Sequence, residues 1–322
     1  MAKPPTPIRK QPRRRAAAKT PPSRLSHEQM MRDIQRALAG REFADPDEVN
    51  AFLATLTGPG RLRQALAQTA PPSAREQAAD LAFEAMEAPN RSLARKRAQR
   101  ALALDPDCVD ALVLLTMMDS TRAEDLIAGL EAAVLAGERA LGPDFLAENR
   151  GHYWGMMETR PYMRARLELA QCLLGEGRVA EAIHHLEGLL ELNPNDNQGV
   201  RDVLLGGYLS RANLAGARRL LREFHDDASA TFAWCRVLER FLSDDLPGAK
   251  RELRRARRGN PYVEQILIGE IPLAEDLPDS YELGSEDEAV LCLNHMLGAW
   301  MENPAATGWL METLLAGRAT AR

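Results

Sequence analysis

The chain has 322 residues, of which 45% are hydrophobic and 27% charged, with a net charge of −5. No apolar run reaches the roughly 18–20 residues of a membrane span, and no apolar segment follows the basic N-terminus as a secretory signal requires. The four cysteines (Cys108, Cys172, Cys235, Cys292) lie far apart in apolar helical surroundings, which fits reduced thiols in a cytoplasmic protein better than a disulfide framework or a zinc site.

Residues 1–25 hold eight basic side chains and no acidic one, and are rich in proline. Such a segment buries too little apolar surface to offset its ordering entropy, so a disordered arm is expected. Residues 26–73 read as a short helical hairpin with a linker. Ser26 and Gln29 form a capping-box pattern, Met30, Ile34 and Leu38 recur at helical spacing, and Gly40 ends the helix. A second helix starts at Asp45–Pro46 and is expected to bury Val49, Phe52, Leu53 and Leu56. "TGPGR" and "TAPPS" bracket a short connector.

From residue 74 to 261 the dominant signal is repetition. In "YMRARLELAQCLLGEGRVAEAIHHLEGLLELNPND", numbering a 34-residue frame from Met163 puts Leu169, Ala170, Leu173, Ala182, Leu186, Leu189 and Pro194 where tetratricopeptide repeats place their packing residues and closing proline. Small residues let two antiparallel helices approach, and proline stops the second. This unit resembles the tetratricopeptide pattern, with Arg166 where an aromatic is usual. Frames from Arg75 and Gln198 match in part, as does the unit ending "GAKRELRRARRGNPY". Residues 109–141 are helical with a poor repeat signature. The expected fold is all-α: a right-handed α-solenoid of tetratricopeptide-like hairpins.

After Pro261 the period breaks. Residues 262–322 form an acidic extension; no Lys or Arg occurs from 259 to 317, against eleven acidic residues. "PLAEDLPDSYELGS" reads as a turn-rich connector. Ser285 and Glu288 cap a helix with an apolar face of Leu291, Met296, Leu297 and Trp300, and a last helix runs from Pro304 to about Ala316. A solenoid needs a cover with a polar outer face, and this extension is expected to supply it as a helical C-terminal cap.

The phrases "LDPDCVDALVLL", "GHYWGMMETRPYMRARLELAQCL", "LNPNDNQG" and "GSEDEAVLCLNHMLGAW" resemble bacterial tetratricopeptide-like proteins related to the suppression-of-tumorigenicity-seven family. The resemblance covers about three quarters of the chain. It implies a fold and no reaction. The animal members are membrane-associated, and that localisation does not transfer to a chain with no span.

Motifs for chemistry are weak. His184 and His185 are adjacent, which aims them about 100° apart on a helix rather than onto a common metal. No metal or cofactor is expected. "GEGRVA" (residues 175–180) satisfies GxGxxA but follows a helix instead of a strand, so it reads as a turn in which glycine takes positive φ. His152, Tyr153, Glu158 and Arg160 offer a remote possibility of a catalytic cluster. The leading expectation is non-enzymatic.

Helix positions 2, 5, 9 and 12 line the groove of a tetratricopeptide array. Here they are Arg164, Leu167, Gln171 and Leu174 in the clearest unit, and Glu76, Ala79, Phe83 and Met86 in the first. Chaperone-binding members of the repeat class hold a carboxylate with Lys and Asn at such positions, and neither type occurs here. A groove of Phe, Met and Leu suits an apolar helix, either a partner's or the chain's own C-terminal extension folded back. The aromatic stretch 151–166, with Tyr153, Trp154, Arg160 and Tyr162, reads as a structural plug at an irregular junction or as a partner-binding hot spot. The expected function is a protein–protein interaction scaffold or adaptor. The alternative is a nucleic-acid-associated factor, with Arg13, Arg14, Arg15, Arg254, Arg255, Arg257 and Arg258 on phosphates, unless residues 250–258 pair with the acidic extension.

Overall fold

The computed structural model describes residues 24–320 except 59, 275 and 279, with side chains over 27–316. Among the described residues there is no strand; seventeen α-helices and two single 3-10 turns account for the regular structure. The expected arm falls almost wholly on residues 1–23, including Arg13, Arg14 and Arg15, which lie outside the described residues. The chain divides into two compact units, Met1–Pro71 and Pro72–Arg322.

The first unit contains α1 (Arg24–Leu38), α2 (Pro46–Leu56) and α3 (Arg61–Leu66). Helix α1 starts two residues before Ser26, so Ser26 lies inside the helix and not at the N-cap position expected for it. Arg24 and Leu25 are good helix formers and extend it backwards. Helix α2 begins as expected: the Asp45 carboxylate accepts from the Glu48 N–H and Pro46 takes the first turn. The supposed connector is itself helical, since RLRQAL lacks any breaker. Val49, Phe52, Leu53 and Leu56 are only half-buried, contrary to expectation. Six residues of α3 span about 9 Å, too little to cover α2.

The second unit is a succession of antiparallel pairs: α4 (Ala74–Met86) with α5 (Arg91–Leu104), α6 (Val109–Asp119) with α7 (Ala123–Leu141), α9 (Arg160–Gly175) with α10 (Val179–Leu192), α11 (Val200–Ser210) with α12 (Leu214–Glu223), and α13 (Ala230–Leu242) with α14 (Leu246–Gly259). The short α8 (Pro143–Glu148) precedes α9. First helices pack side by side in the order α4, α6, α9, α11, α13. Each second helix also packs on the next first helix, as α5 does on α6, α7 on α9, α10 on α11 and α12 on α13. Ala78, Ala82, Ala98, Ala101 and Ala111 at the N-terminal joints are fully buried, which is what lets those backbones approach. Farther along, larger residues fill one continuous core from Val109 to Leu310.

The turn within three of these pairs is the same. The second residue after the first helix takes positive φ: Gly177 (72°), Ala212 (48°) and Asp244 (58°). The next N–H then reaches back five residues, from Arg178 to Leu173 (2.8 Å), Asn213 to Tyr208 (2.8 Å) and Asp245 to Arg240 (3.0 Å). This is the Schellman closure, which satisfies orphan carbonyls at a helix C-terminus. Only the first uses glycine.

Three further helices follow: α15 (Tyr262–Leu267), α16 (Glu286–Met301) and α17 (Pro304–Thr320), the last running past the expected Ala316. Helix α16 packs on α11, α13 and α15, and α17 on α16 and α13. The buried residues of α16 are Glu288, Ala289, Val290, Cys292, Leu293, Met296, Ala299 and Trp300; Leu291 and Leu297, expected inside, are half-buried. Among the described residues no helix is long and apolar enough to cross a membrane.

Candidate functional site

The stretch 151–166 winds through two 3-10 turns into α9. Tyr153 is fully buried and its hydroxyl donates to the Leu146 carbonyl at 2.7 Å; burial pushes its pKa up to about 12. Thr159 occupies the N-cap position of α9 but does not cap it. Its hydroxyl turns back to donate to the carbonyls of Tyr153 and Met156, holding the two 3-10 turns closed. Arg160 lies 4.7 Å over the Trp154 ring and donates twice to the Trp154 carbonyl, at 3.1 and 3.0 Å. Tyr162 is buried; its hydroxyl donates to Glu138 (3.3 Å) and accepts from Arg166 (3.2 Å). So the two tyrosines belong to the core, whereas Trp154 and Arg160 remain half-exposed. His152 and Glu158 are exposed and Tyr153 is not, so the remote catalytic cluster has no common face.

The groove-lining residues divide similarly. Arg164 forms a two-pronged bond with the buried Asp110 of α6 (3.2 and 2.8 Å) and lies 5.9 Å from the Phe83 ring of α4. One side chain thus ties α4, α6 and α9 together. Met86, Leu167 and Leu174 are half-buried and Gln171 is exposed. Glu168, one turn beyond Arg164, is half-buried, and burial alone raises its pKa. This face of α4, α6 and α9 mixes the apolar Phe83, Met86, Leu167 and Leu174 with Arg164, Glu168 and Gln171.

Over α11 and α13 the equivalent face is filled by α16. Gly206 sits where the two backbones meet: a Cβ there would collide with the carbonyl of His295, whose carbon would be 3.1 Å away, and would touch the Cα of Met296 at 3.4 Å. Trp300 packs edge-on to Trp234 (centroids 6.2 Å apart), and the Cys235 and Met296 sulfurs are 3.8 Å apart. Glu288 is the polar lock. Ser285 caps α16 as expected, accepting from the Glu288 N–H at 3.1 Å. The Glu288 carboxylate instead reaches α13, accepting from the Ala230 N–H (2.9 Å), and also takes bonds from the Asn260 amide (2.9 Å) and the Gly284 N–H (2.6 Å). Ala230 begins α13, so a carboxylate from another helix satisfies one of its orphan donors.

Two titratable groups at this joint have opposite effects. Asp202 of α11 is largely buried, its Oδ1 lacks a hydrogen bond, and burial with Asp227 and Asp196 nearby pushes it up to about 7, against the pull of Arg201. His295 of α16 has a buried, unbonded Nδ1, and burial pulls it down to about 4. Between pH ~4 and ~7 the folded chain keeps the Asp202 proton while the unfolded chain loses it, so that contribution falls as pH rises. Between about 6.5 and 4 the unfolded chain protonates His295 and the folded chain does not, so that contribution falls as pH drops. Asp202→Asn therefore removes the alkaline loss and His295→Gln the acidic one, each on the order of 3 kcal/mol over its window. Urea midpoints from pH 4 to 8 should tilt in opposite directions for the two variants; parallel profiles would show that neither group is buried in its neutral form.

On α14, Arg257 is bound by the buried Glu264 (2.7 and 2.5 Å) and Arg255 by Glu252 (3.0 Å), while Arg254 and Arg258 are exposed. The acidic extension therefore takes one of the four arginines expected on phosphate. Among the described residues no group of three His, Cys, Asp or Glu is placed to hold a metal ion; the His184 and His185 rings lie edge to face, 5.8 Å apart. Cys108, Cys235 and Cys292 are buried and in no disulfide, and burial raises the Cys235 and Cys292 thiols. Sequence reasoning missed Asp110, Asp202, His295 and the outward reach of Glu288. The one available signal was the Asn-Pro pair at 260–261, which repeats that at 193–194; both asparagines are buried.

Comparison with protein-family models and with curated proteins finds no match.

Proposed function

We propose that the chain is a non-enzymatic interaction scaffold, a right-handed tetratricopeptide-like solenoid of the cytoplasm that receives an apolar helix on the inner face of α4, α6 and α9. The observation that carries the reading is α16: the first-helix layer already holds one helix over α11 and α13, through Ala289, Cys292, Leu293, Met296 and Ala299 at helical spacing. A second helix with small and apolar residues at i, i+3, i+4 and i+7 suits the part of the same layer that α16 does not reach. The staggered two-layer packing and the three identical turns support the solenoid itself, in line with the phrases that resemble the suppression-of-tumorigenicity-seven family.

The test is co-purification of the full chain from its native cells with nuclease present, beside a Met86→Glu, Gln171→Arg variant. A stoichiometric protein should survive nuclease and be lost from the variant. If the variant keeps that partner, or nuclease removes everything bound, this face is not the binding surface.

A further inference from the structure

We propose that the outer face of α14 is a sequence-blind binding stripe for the phosphate backbone of nucleic acid. Helix α14 is amphipathic in an unusual way. Ala249, Leu253 and Ala256 face the core, and the opposite side exposes Lys250, Arg251, Arg254, Arg255 and Arg258. Glu252 is the only acid on the helix and it engages Arg255, while Arg257 turns inward to Glu264. Lys250, Arg251, Arg254 and Arg258 have no acidic partner among the described residues. The eleven acids of residues 259–317 follow at once in sequence, and among the described ones only Glu264 forms an ion pair with this helix.

Like charges at i, i+4 repel along a helix, so a face of this kind gains from a polyanion laid across it. Lys250, Arg254 and Arg258 are four residues apart, about 6 Å per step along the axis, which matches one cation to roughly every second phosphate of a strand. Arginine also offers two parallel donors to phosphate oxygens. A lipid surface is the poorer fit: apart from Leu246 in the first turn, the exposed face carries no large apolar side chain to enter a bilayer. Nothing on the stripe is shaped to read base edges, so binding is electrostatic and salt-sensitive.

The experiment uses the full chain, because the basic N-terminal residues add a contribution that must stay constant. Fluorescence anisotropy with a labelled random-sequence duplex gives the slope of log affinity against log salt. Three proteins are compared: wild type, a stripe variant (Lys250→Gln, Arg254→Gln, Arg258→Gln), and a control of equal charge change at exposed sites elsewhere (Arg61→Gln, Arg122→Gln, Arg211→Gln). The stripe variant should flatten the slope by about 2–3 while the control keeps the wild-type slope. Arg251→Gln with Arg255→Gln on the same face should flatten it by about 2, which guards against a fold defect in the first variant. The proposal is overturned if stripe and control variants share one slope, if the wild type does not bind at low salt, or if anionic vesicles displace the duplex by binding the same stripe.

Discussion

Glu288→Ala should destabilise the second unit by about 3–5 kcal/mol, lowering its thermal midpoint by roughly 6–15 °C. The carboxylate is 4% exposed and accepts three bonds from three separate places: the start of α13, the Asn260 side chain and the Gly284 backbone. Truncation leaves the Ala230 N–H buried without an acceptor and the Asn260 amide with the Ser285 carbonyl as its one remaining acceptor, and each lost bond to a buried donor costs about 1–3 kcal/mol. Glu288→Gln should recover only part of the loss, since its amide nitrogen would face other donors. Asn260→Ala, combined with Glu288→Ala in a double-mutant cycle, should show strong coupling, because the two share one bond. A midpoint shift of a degree or two for Glu288→Ala would mean that water replaces the carboxylate, and the lock would not be a lock.

Gly206→Ala should cost about 3 kcal/mol or more and loosen α16, whereas Gly298→Ala, on α16 itself, should stabilise by about 0.5–1 kcal/mol. The substitution is chemically identical in the two places. At Gly298 a Cβ meets nothing within 4 Å, and alanine in a helix interior gains over glycine by restricting the unfolded chain. At Gly206 the added carbon meets backbone, the His295 carbonyl and the Met296 Cα, which cannot rotate away as a flexible side chain would. Trp234 and Trp300 face each other at this contact, so tryptophan emission reports it directly. A red shift and new protease cleavage between residues 270 and 285 are expected for Gly206→Ala. Unchanged emission would show that α16 shifts along α11 without cost.

The helices of the second unit were readable because alanine and leucine recur at the spacing of a packed helix face and Pro106, Pro194 and Pro261 mark the ends of second helices. Two of the three equal turns were not, because Ala212 and Asp244 adopt a backbone conformation that sequence reasoning assigns to glycine. The packing of the surrounding helices imposes it. Arg166 shows a similar substitution of means: where an aromatic was expected, the arginine lies over Gly188, which leaves room for its guanidinium. The candidate site was legible as a set of positions but not as a set of roles. Tyr153, Tyr162 and Arg164 were picked out by type and place, and their partners Leu146, Glu138 and Asp110 lie on other elements, out of reach of any local pattern. The seat of α16 on α11 depends on one missing side chain, and glycine in a helix says only that something comes close.

The distance in sequence between α11 and α16 has a consequence for synthesis. The inner face of α11, with Asp202, Gly206 and the leucines around it, is complete once residue 210 has emerged, but its cover ends at Met301. At roughly 5–20 residues per second, a ribosome leaves that face open to water for about 5–18 s after α11 itself has emerged. During that interval the nascent chain displays, on every molecule made, an apolar cleft shaped for a helix. Chaperones that hold apolar segments have their time on this protein there, before its own C-terminal helix arrives to displace them.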